Sequence, residues 1–311
     1  MSDHRVCLDY SRLSYLEQCS RFLSLNVKFR PSGLFSGQHR SLLRGTGLSF
    51  EELKPYQQGD SVKNIDWKCS QRSQKLISKV YTQETDRPAI ILCDQRVELF
   101  FGSEQYMKSV IAAELAIMMG YLFKAQGDRV GGGVLATDSN AFFPSTRASS
   151  SFNAWLSELV KSNQSLSSSA LGVDKKTGSR TKDHLKLIDD AIQTLGMSGT
   201  FVFVTDGLNL SDELLAKLKQ NAHRHNIILF LINDPLELDY QQAVGLAITD
   251  GQKQVMLDEN RDDLILYRQA IDKRLADIKK ELNFSAFPVI EFNTTESSYL
   301  QLSKLLGGAY A

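Results

Sequence analysis

Short apolar runs alternate with amphipathic segments along the chain after Pro88. The apolar runs have the length and composition of buried strands, whereas the segments between them have helical spacing. The predicted strands are Ala89 to Cys93, Arg129 to Ala136, Thr200 to Thr205, Ile227 to Ile232 and Val289 to Phe292. Parallel strands joined by crossover helices produce this alternation. The pattern therefore predicts an α/β domain over residues 86–311, built on a doubly wound, mostly parallel sheet.

Two segments interrupt the alternation within this domain. Residues 163–183 are rich in Ser, Lys and Gly and contain little that could be buried, so we expect a mobile surface loop there. Residues 243–258 alternate around the turn pair Asp250 and Gly251 and predict a hairpin. Both segments are expected as additions to the α/β domain rather than as parts of its sheet.

The chain upstream of Pro88 differs in composition and in the spacing of its apolar residues. Residues 1–25 include a predicted helix at about Tyr10 to Leu25. Residues 26–85 are basic, aromatic and rich in Gly, with no helical period, and the run "KLISKVYTQE" alternates as a strand does. We therefore expect an N-terminal helix followed by an appended β-rich module that is separate from the α/β domain.

Composition narrows the classes of function. The formal net charge is zero, so no overall field attracts nucleic acid or a membrane surface. The four cysteines lack the CxxC spacing of metal or redox sites, which is typical of reduced thiols in the cytoplasm. The longest apolar stretch is too short for a membrane span and contains Glu114. We expect a cytoplasmic protein without membrane insertion.

Acidic residues follow two of the predicted buried strands. These residues are Asp94 and Asp206, and we expect them to share one crevice because open α/β sheets bind ligands at the carboxyl ends of their strands. Arg96 and Glu98 follow Asp94 at alternate positions. A guanidinium group can neutralise carboxylates from within the protein, so this spacing favours an internal ion-pair network over a divalent-metal site.

The sequence contains no recognised set of catalytic residues. It lacks the GxxxxGK[ST], HExxH and GxSxG patterns, and His223 and His225 lie two apart on a predicted helix, so they point in different directions. A phosphoaspartyl enzyme usually has a second carboxylate two residues after the first, where this chain has Arg96. We therefore expect no enzymatic activity and no cofactor. A metal-dependent hydrolase is the alternative that stays open.

Residues 26–80 form a local basic region, with ten Lys or Arg residues and four acidic residues. We predict that Lys63, Lys68 and Arg72 contact an acidic partner, because charge complementarity accelerates association. Trp67, in "GDSVKNIDWK", is predicted to be a core anchor, with a binding surface as the alternative interpretation of this segment. Aromatic residues also occur in the basic region, so nucleic-acid binding through residues 26–80 is a further alternative, disfavoured by the zero net charge.

The strand-end acids resemble those of von Willebrand A domains. In such domains a metal-ion-dependent adhesion site uses an Asp-x-Ser-x-Ser loop after the first strand, a Thr from a later loop, and an Asp placed like Asp206. This chain has Asp94 at the first position but Arg96 and Glu98 at the serine positions, and Thr146 in "FFPSTRA" is the candidate threonine. The resemblance implies a degenerate adhesion site, formed by these five residues, that holds no metal.

A wider resemblance extends over most of the chain. The segments "GLSFEELKPYQQGDSVKNIDWKCSQR", "FFGSEQYMKSVIAAELA", "GDRVGG", "VTDG" and "NDPLELD" resemble, in this order, the family catalogued as domain of unknown function number 58. That family is von Willebrand A-like. The resemblance implies a non-enzymatic partner of MoxR-type AAA+ ATPases that acts in the assembly or activation of other protein complexes. Other von Willebrand A-like proteins are further candidate partners.

Overall fold

The computed structural model describes two units of this chain. The α/β unit comprises Met1–Pro31 and Arg87–Ala311, and the hairpin unit comprises Ser32–Asp86. The described residues are 3–23, 48–57, 61–83, 87–137, 139–169, 177–206, 210–238, 247–249, 254–256, 265, 269–270, 272–274, 276–278, 280 and 287–306. Every structural statement below concerns these residues.

Helices and strands are numbered in chain order. The helices are α1 (Tyr10–Arg21), α2 (Trp67–Ser73), α3 (Lys108–Ala125), α4 (Ser149–Ser169), α5 (Thr177–Thr194), α6 (Asp212–Asn221), α7 (Pro235–Leu238) and α8 (Ser298–Leu306). The strands are β1 (Leu48–Pro55), β2 (Ile77–Gln83), β3 (Pro88–Gln95), β4 (Arg129–Ala136), β5 (Ala141–Thr146), β6 (Thr200–Thr205), β7 (Asn226–Asn233), β8 (Ala247–Thr249), β9 (Gln254–Met256) and β10 (Val289–Asn293).

A mostly parallel sheet of six strands forms the centre of the α/β unit. Its order is β10-β7-β6-β3-β4-β5, and only the edge pair β4 and β5 is antiparallel. The predicted α/β class and the five predicted strands of this sheet are confirmed. Strand β5 was not predicted, because it is a short edge strand that contains Pro144, a residue that sheets tolerate mainly at their edges.

Helices cover both faces of the sheet. Alternate residues of β3 enter two hydrophobic clusters, with Ile91 and Cys93 in one and Ile90 and Leu92 in the other. The first cluster includes residues of α1, α3, α4 and α8, and the second includes residues of α5 and α6. The sheet is therefore doubly wound. Within the described ranges, no helix is both long enough and apolar enough to cross a membrane.

The N-terminal helix α1 belongs to the α/β unit. Asp9 caps it by accepting a hydrogen bond from the backbone N–H of Arg12 at 3.0 Å. The Nε of Arg12 donates to Oε1 of Glu114, a fully buried residue of α3, at 2.6 Å. Glu114 also accepts a hydrogen bond from the Ser298 hydroxyl of α8. One buried carboxylate thus joins three helices. The predicted N-terminal helix is confirmed, although it ends at Arg21 rather than at Leu25.

The predicted loop over residues 163–183 is wrong at both of its ends. Residues 163–169 belong to α4, and residues 177–183 belong to α5. Asn163 is buried, and its Oδ1 accepts a hydrogen bond from the backbone N–H of Leu8 at 2.7 Å. The polar composition of residues 163–169 gave no sign that Asn163 would be buried in a tertiary contact. This contact anchors the last turns of α4. Residues 170–176 lie outside the described part of the chain.

The hairpin unit contains the antiparallel pair β1 and β2, and the predicted strand in "KLISKVYTQE" is confirmed as β2. Asp66 caps α2 by accepting hydrogen bonds from the backbone N–H groups of Lys68 and Cys69, each at 3.0 Å. The Ser70 hydroxyl accepts a hydrogen bond from the backbone N–H of Ile77 at 2.9 Å, which ties α2 to β2.

In the α/β unit, β8 and β9 form the predicted antiparallel hairpin, although Asp250 and Gly251 lie outside the described residues.

Candidate functional site

Two buried carboxylates lie at the carboxyl edge of the central sheet. Asp94 is the second-last residue of β3, and Asp206 directly follows β6, its parallel neighbour. The chain passes from β3 to β4 on one side and later to β6 on the other, so the order of the sheet reverses here. Ligand crevices of open α/β sheets form at such reversals. Asp94 is 0% exposed and Asp206 is 2% exposed, so neither carboxylate is open to solvent.

Asp94 has all of its acceptor positions occupied by protein groups. Its Oδ1 accepts hydrogen bonds from the backbone N–H of Arg96 at 3.1 Å and from the Arg96 Nε at 2.8 Å. Its Oδ2 accepts from the Arg96 Nη2 at 2.5 Å and from the Thr205 hydroxyl at 2.9 Å. A carboxylate offers roughly four lone-pair sites, so Asp94 is saturated.

The Arg96 guanidinium is a fixed positive charge in the crevice. Burial by itself would lower the pKa of Arg96, but the Asp94 carboxylate outweighs burial and raises the pKa above its ordinary value. Arg96 therefore stays charged at every pH at which the protein is folded. The two-pronged contact with Asp94 also fixes the direction of the Arg96 side chain.

Lys108 supplies a second buried positive charge. It is the first residue of α3, and its side chain is only 1% exposed. The Lys108 Nζ lies 3.5 Å from Oδ2 of Asp206 and donates to Oε1 of Glu237 at 2.5 Å. Burial would lower the pKa of Lys108, but the carboxylates of Asp206 and Glu237 raise it. An ammonium group thus neutralises the acid that follows β6.

The pKa of Asp206 shows how the charges of the crevice balance. Burial raises this pKa from 3.8 to about 6, and repulsion by Asp94 and Glu237 acts in the same direction, while Lys108 opposes the shift. Lys108 is therefore the strongest influence that favours the ionised form of Asp206.

The loop before α3 is held at the same edge of the sheet. Asp234, which follows β7, is fully buried and accepts hydrogen bonds from the backbone N–H and the hydroxyl of Ser103. The Thr294 hydroxyl donates to the same carboxylate at 2.6 Å. Gly102 permits the tight path of this loop, because a Cβ atom there would lie 2.3 Å from the carbonyl oxygen of Tyr106. These contacts place the start of α3, and hence Lys108, beside Asp206.

The structure does not bring all the predicted crevice residues together. Glu98 is exposed on the 3-10 turn Val97–Leu99, so it does not join the buried charges. Thr146 is at the opposite end of the sheet, since it pairs with Val130 in the antiparallel register of β4 and β5. Its assignment to the crevice is therefore wrong. The Thr137 hydroxyl lies at the crevice instead and accepts a hydrogen bond from the backbone N–H of Val97 at 2.9 Å.

Sequence reasoning missed Lys108, Thr205 and Glu237. A lysine is usually solvated, and no local pattern marks it as the partner of a carboxylate far away in the chain. One signal was present, because Lys108 directly precedes a run that is apolar nearly all round, as in a helix that packs against a sheet. A lysine at such a position requires an acidic partner.

The crevice does not fit the metal of an adhesion-type site. Mg²⁺ requires several oxygen ligands in near-octahedral geometry, but the oxygens of Asp94 are occupied and each acid is already paired with a cationic side chain. Elsewhere in the described chain, no group of three or more His, Cys, Asp or Glu residues is arranged to hold a metal ion. The chemistry that this arrangement supports is internal charge neutralisation.

A second candidate surface lies in the hairpin unit. Lys63, Lys68 and Arg72 are all exposed there, as a partner surface requires. Trp67 is 65% exposed, so its predicted role as a buried core anchor is wrong. The physical reason is that Asp66 caps α2 and Ser70 ties it to β2, so the helix is attached without its tryptophan.

The fold and the site define a class: a doubly wound α/β protein whose strand-end crevice is closed by its own ion pairs. The family described as "Protein of unknown function DUF58" matches residues 52–281, and the chain belongs to this family, as its sequence segments predicted. Two relatives, "Uncharacterized protein Mb1516" of Mycobacterium bovis and "Uncharacterized protein Rv1480" of Mycobacterium tuberculosis, are each 21% identical to the chain over 276 residues. The matched region covers 88% of this chain and 83% of each relative.

Proposed function

We propose that this protein is a non-enzymatic interaction module with a von Willebrand A-like fold, and that it serves as an adaptor of a MoxR-type AAA+ ATPase. The observation that carries the proposal is that both buried acids of the crevice are paired with cationic side chains. Asp94 is bound by Arg96, and Asp206 faces Lys108. A catalytic crevice needs a nucleophile, a base or an electrophile that can reach a substrate, and these buried, paired groups offer none.

The choice of partner follows from the family resemblance rather than from the crevice. An adaptor needs a stable scaffold and an exposed contact surface, and the chain has both. The buried ion pairs fix the carboxyl edge of the sheet, and the hairpin unit presents the basic residues Lys63, Lys68 and Arg72 to solvent. In this function the ATPase would recognise the chain, and together they would assemble or activate other protein complexes.

Reversing the charges of Lys63, Lys68 and Arg72 to glutamate tests the basic surface. We expect the triple variant to associate with the MoxR-type ATPase of the same organism about ten-fold more slowly or worse at low salt. The difference should shrink as salt rises, because salt screens exposed charges. Stopped-flow or biolayer measurements give the rate, and unchanged circular dichroism shows that the fold is intact.

A matched control separates this surface from total charge. Changing the exposed residues Lys161, Lys186 and Arg224 of the α/β unit to glutamate alters the net charge equally. We expect this control to associate at nearly the wild-type rate. An equal slowing of both variants, or no slowing of the first at low salt, would count against the surface.

A further inference from the structure

The exposed tryptophan is the feature of the hairpin unit that its fold does not explain. Trp67 is 65% exposed, whereas Trp155, the other tryptophan of the chain, is fully buried. A tryptophan has a large apolar surface, and leaving it in water forfeits the free energy of burial. Exposed tryptophans are typical of binding surfaces, where they often contribute a large share of the affinity.

The surroundings of Trp67 combine apolar and basic groups. Val62, on the preceding 3-10 turn Val62–Asn64, is 59% exposed. Lys68 and Arg72 are four residues apart on α2, so they lie on the same side of the helix, and both are exposed. These residues and Lys63 form what we call the Trp67 surface.

Asp66, which precedes Trp67 in the sequence, is engaged by other groups. Asp66 accepts hydrogen bonds from the backbone at the start of α2 and pairs with Lys79 at 3.2 Å. The hydrogen bond from the backbone N–H of Cys69, followed by the Lys79 contact, lowers the pKa of Asp66. Its charge is therefore directed to the helix cap and to Lys79, and the Trp67 surface keeps its basic character.

We propose that the Trp67 surface docks an acidic protein segment that carries at least one apolar side chain. Trp67 and Val62 contact the apolar side chain, and Lys63, Lys68 and Arg72 contact the carboxylates around it. This inference rests on the proposed role of the chain as an interaction module, and it names the chemistry of the partner and the residue that anchors it.

The composition of the surface favours a protein segment over single-stranded nucleic acid. Nucleic-acid grooves present several aromatic side chains on which successive bases stack. Val62, the exposed apolar residue nearest to Trp67 in the described sequence, is aliphatic and offers no ring on which a base could stack. The chain as a whole also has zero net charge, so it lacks the general attraction to phosphates of most nucleic-acid binders.

Fluorescence quenching by iodide tests the proposal on the full chain. Iodide reaches Trp67 but not the buried Trp155, so the quenched fraction of the emission reports on Trp67. The probe is a short synthetic peptide rich in Asp and Glu with one central leucine. We expect this peptide to protect Trp67 from iodide. The matched peptides, with alanine for leucine or with glutamine and asparagine for the acids, should protect it much less.

Substitutions show whether Trp67 is the anchor. In anisotropy titrations with the labelled peptide, Trp67→Ala should weaken binding about ten-fold or more, and Trp67→Phe should weaken it less. Met197, which is 94% exposed in the α/β unit, provides the control Met197→Ala, and we expect unchanged affinity. Thermal melts of the variants should match the wild type, because Trp67 contributes little to the core.

Two results would overturn the proposal: equal peptide affinity for wild type and Trp67→Ala, or Trp67-dependent binding of oligo(dT) in preference to the acidic peptide. Parallel titrations with the ATPase separate this proposal from the adaptor function. If the ATPase binds, but neither the ATPase nor the acidic peptide distinguishes wild type from Trp67→Ala, the Trp67 surface fails and the adaptor function stands. If the ATPase does not bind but the acidic peptide docks through Trp67, the surface stands and the adaptor function fails.

Discussion

Replacing Lys108 by methionine is expected to lower the free energy of unfolding by about 3–5 kcal/mol. Lys108 is almost fully buried and lies between the carboxylates of Asp206 and Glu237. Methionine fills a similar volume but carries no charge, so the variant leaves a buried carboxylate without its counter-ion. Urea denaturation at neutral pH measures the loss.

A second substitution distinguishes lost charge from lost packing. The double variant Lys108→Met with Asp206→Asn removes one buried charge of each sign, and we expect it to be more stable than Lys108→Met alone. Lys186→Met changes an exposed lysine and should alter stability by no more than about 0.5 kcal/mol. If Lys108→Met were no more harmful than Lys186→Met, the ion pairs would not stabilise the crevice.

Replacing Arg96 by serine should have the second-largest effect, a loss of about 2–4 kcal/mol. The variant removes the side-chain hydrogen bonds that Asp94 accepts from Arg96 at 2.8 and 2.5 Å. It also places a serine hydroxyl beside Asp94. This hydroxyl and the freed oxygens of Asp94 can then serve as metal ligands where the wild type has a cation. We therefore expect added Mg²⁺ to recover part of the lost stability, because a ligand that binds only the folded state stabilises it.

Thermal melts of Arg96→Ser with Mg²⁺ and with a chelator measure this recovery. Arg96→Lys serves as the comparison, since it keeps the positive charge without the two-pronged contact and should lose less stability, with no response to Mg²⁺. A variant Arg96→Ser as stable as the wild type in the presence of chelator would contradict the assigned role of Arg96.

Local pattern was sufficient to predict the parallel strands of the sheet and one half of the crevice. Buried parallel strands have continuous apolar runs, so β3, β6 and β7 were visible in the sequence. Asp94 and Arg96 are two residues apart, so their ion pair follows from the short loop between them. The pairing of Lys108 with Asp206 could not be predicted in this way. The two residues are 98 positions apart in the sequence, and only the order of the strands brings them together.

Two residues were misplaced for different physical reasons. Thr146 was assigned to the crevice because the edge strand β5 was not recognised, and an antiparallel strand returns the chain to the opposite end of the sheet. Trp67 was expected in a core because large aromatic residues usually are buried. Whether a small unit buries its tryptophan depends on its tertiary contacts, which the sequence pattern does not contain.

Titration of the wild-type chain with Mg²⁺ and Mn²⁺ in a calorimeter tests the central claim, that Arg96 and Lys108 neutralise the crevice in place of a metal. The saturated oxygens of Asp94 and the buried ammonium beside Asp206 predict no heat beyond that of dilution, and binding to the ATPase unchanged by a chelator. Tight divalent binding by the unmodified chain, abolished by Asp94→Ala or Asp206→Ala, would contradict the claim.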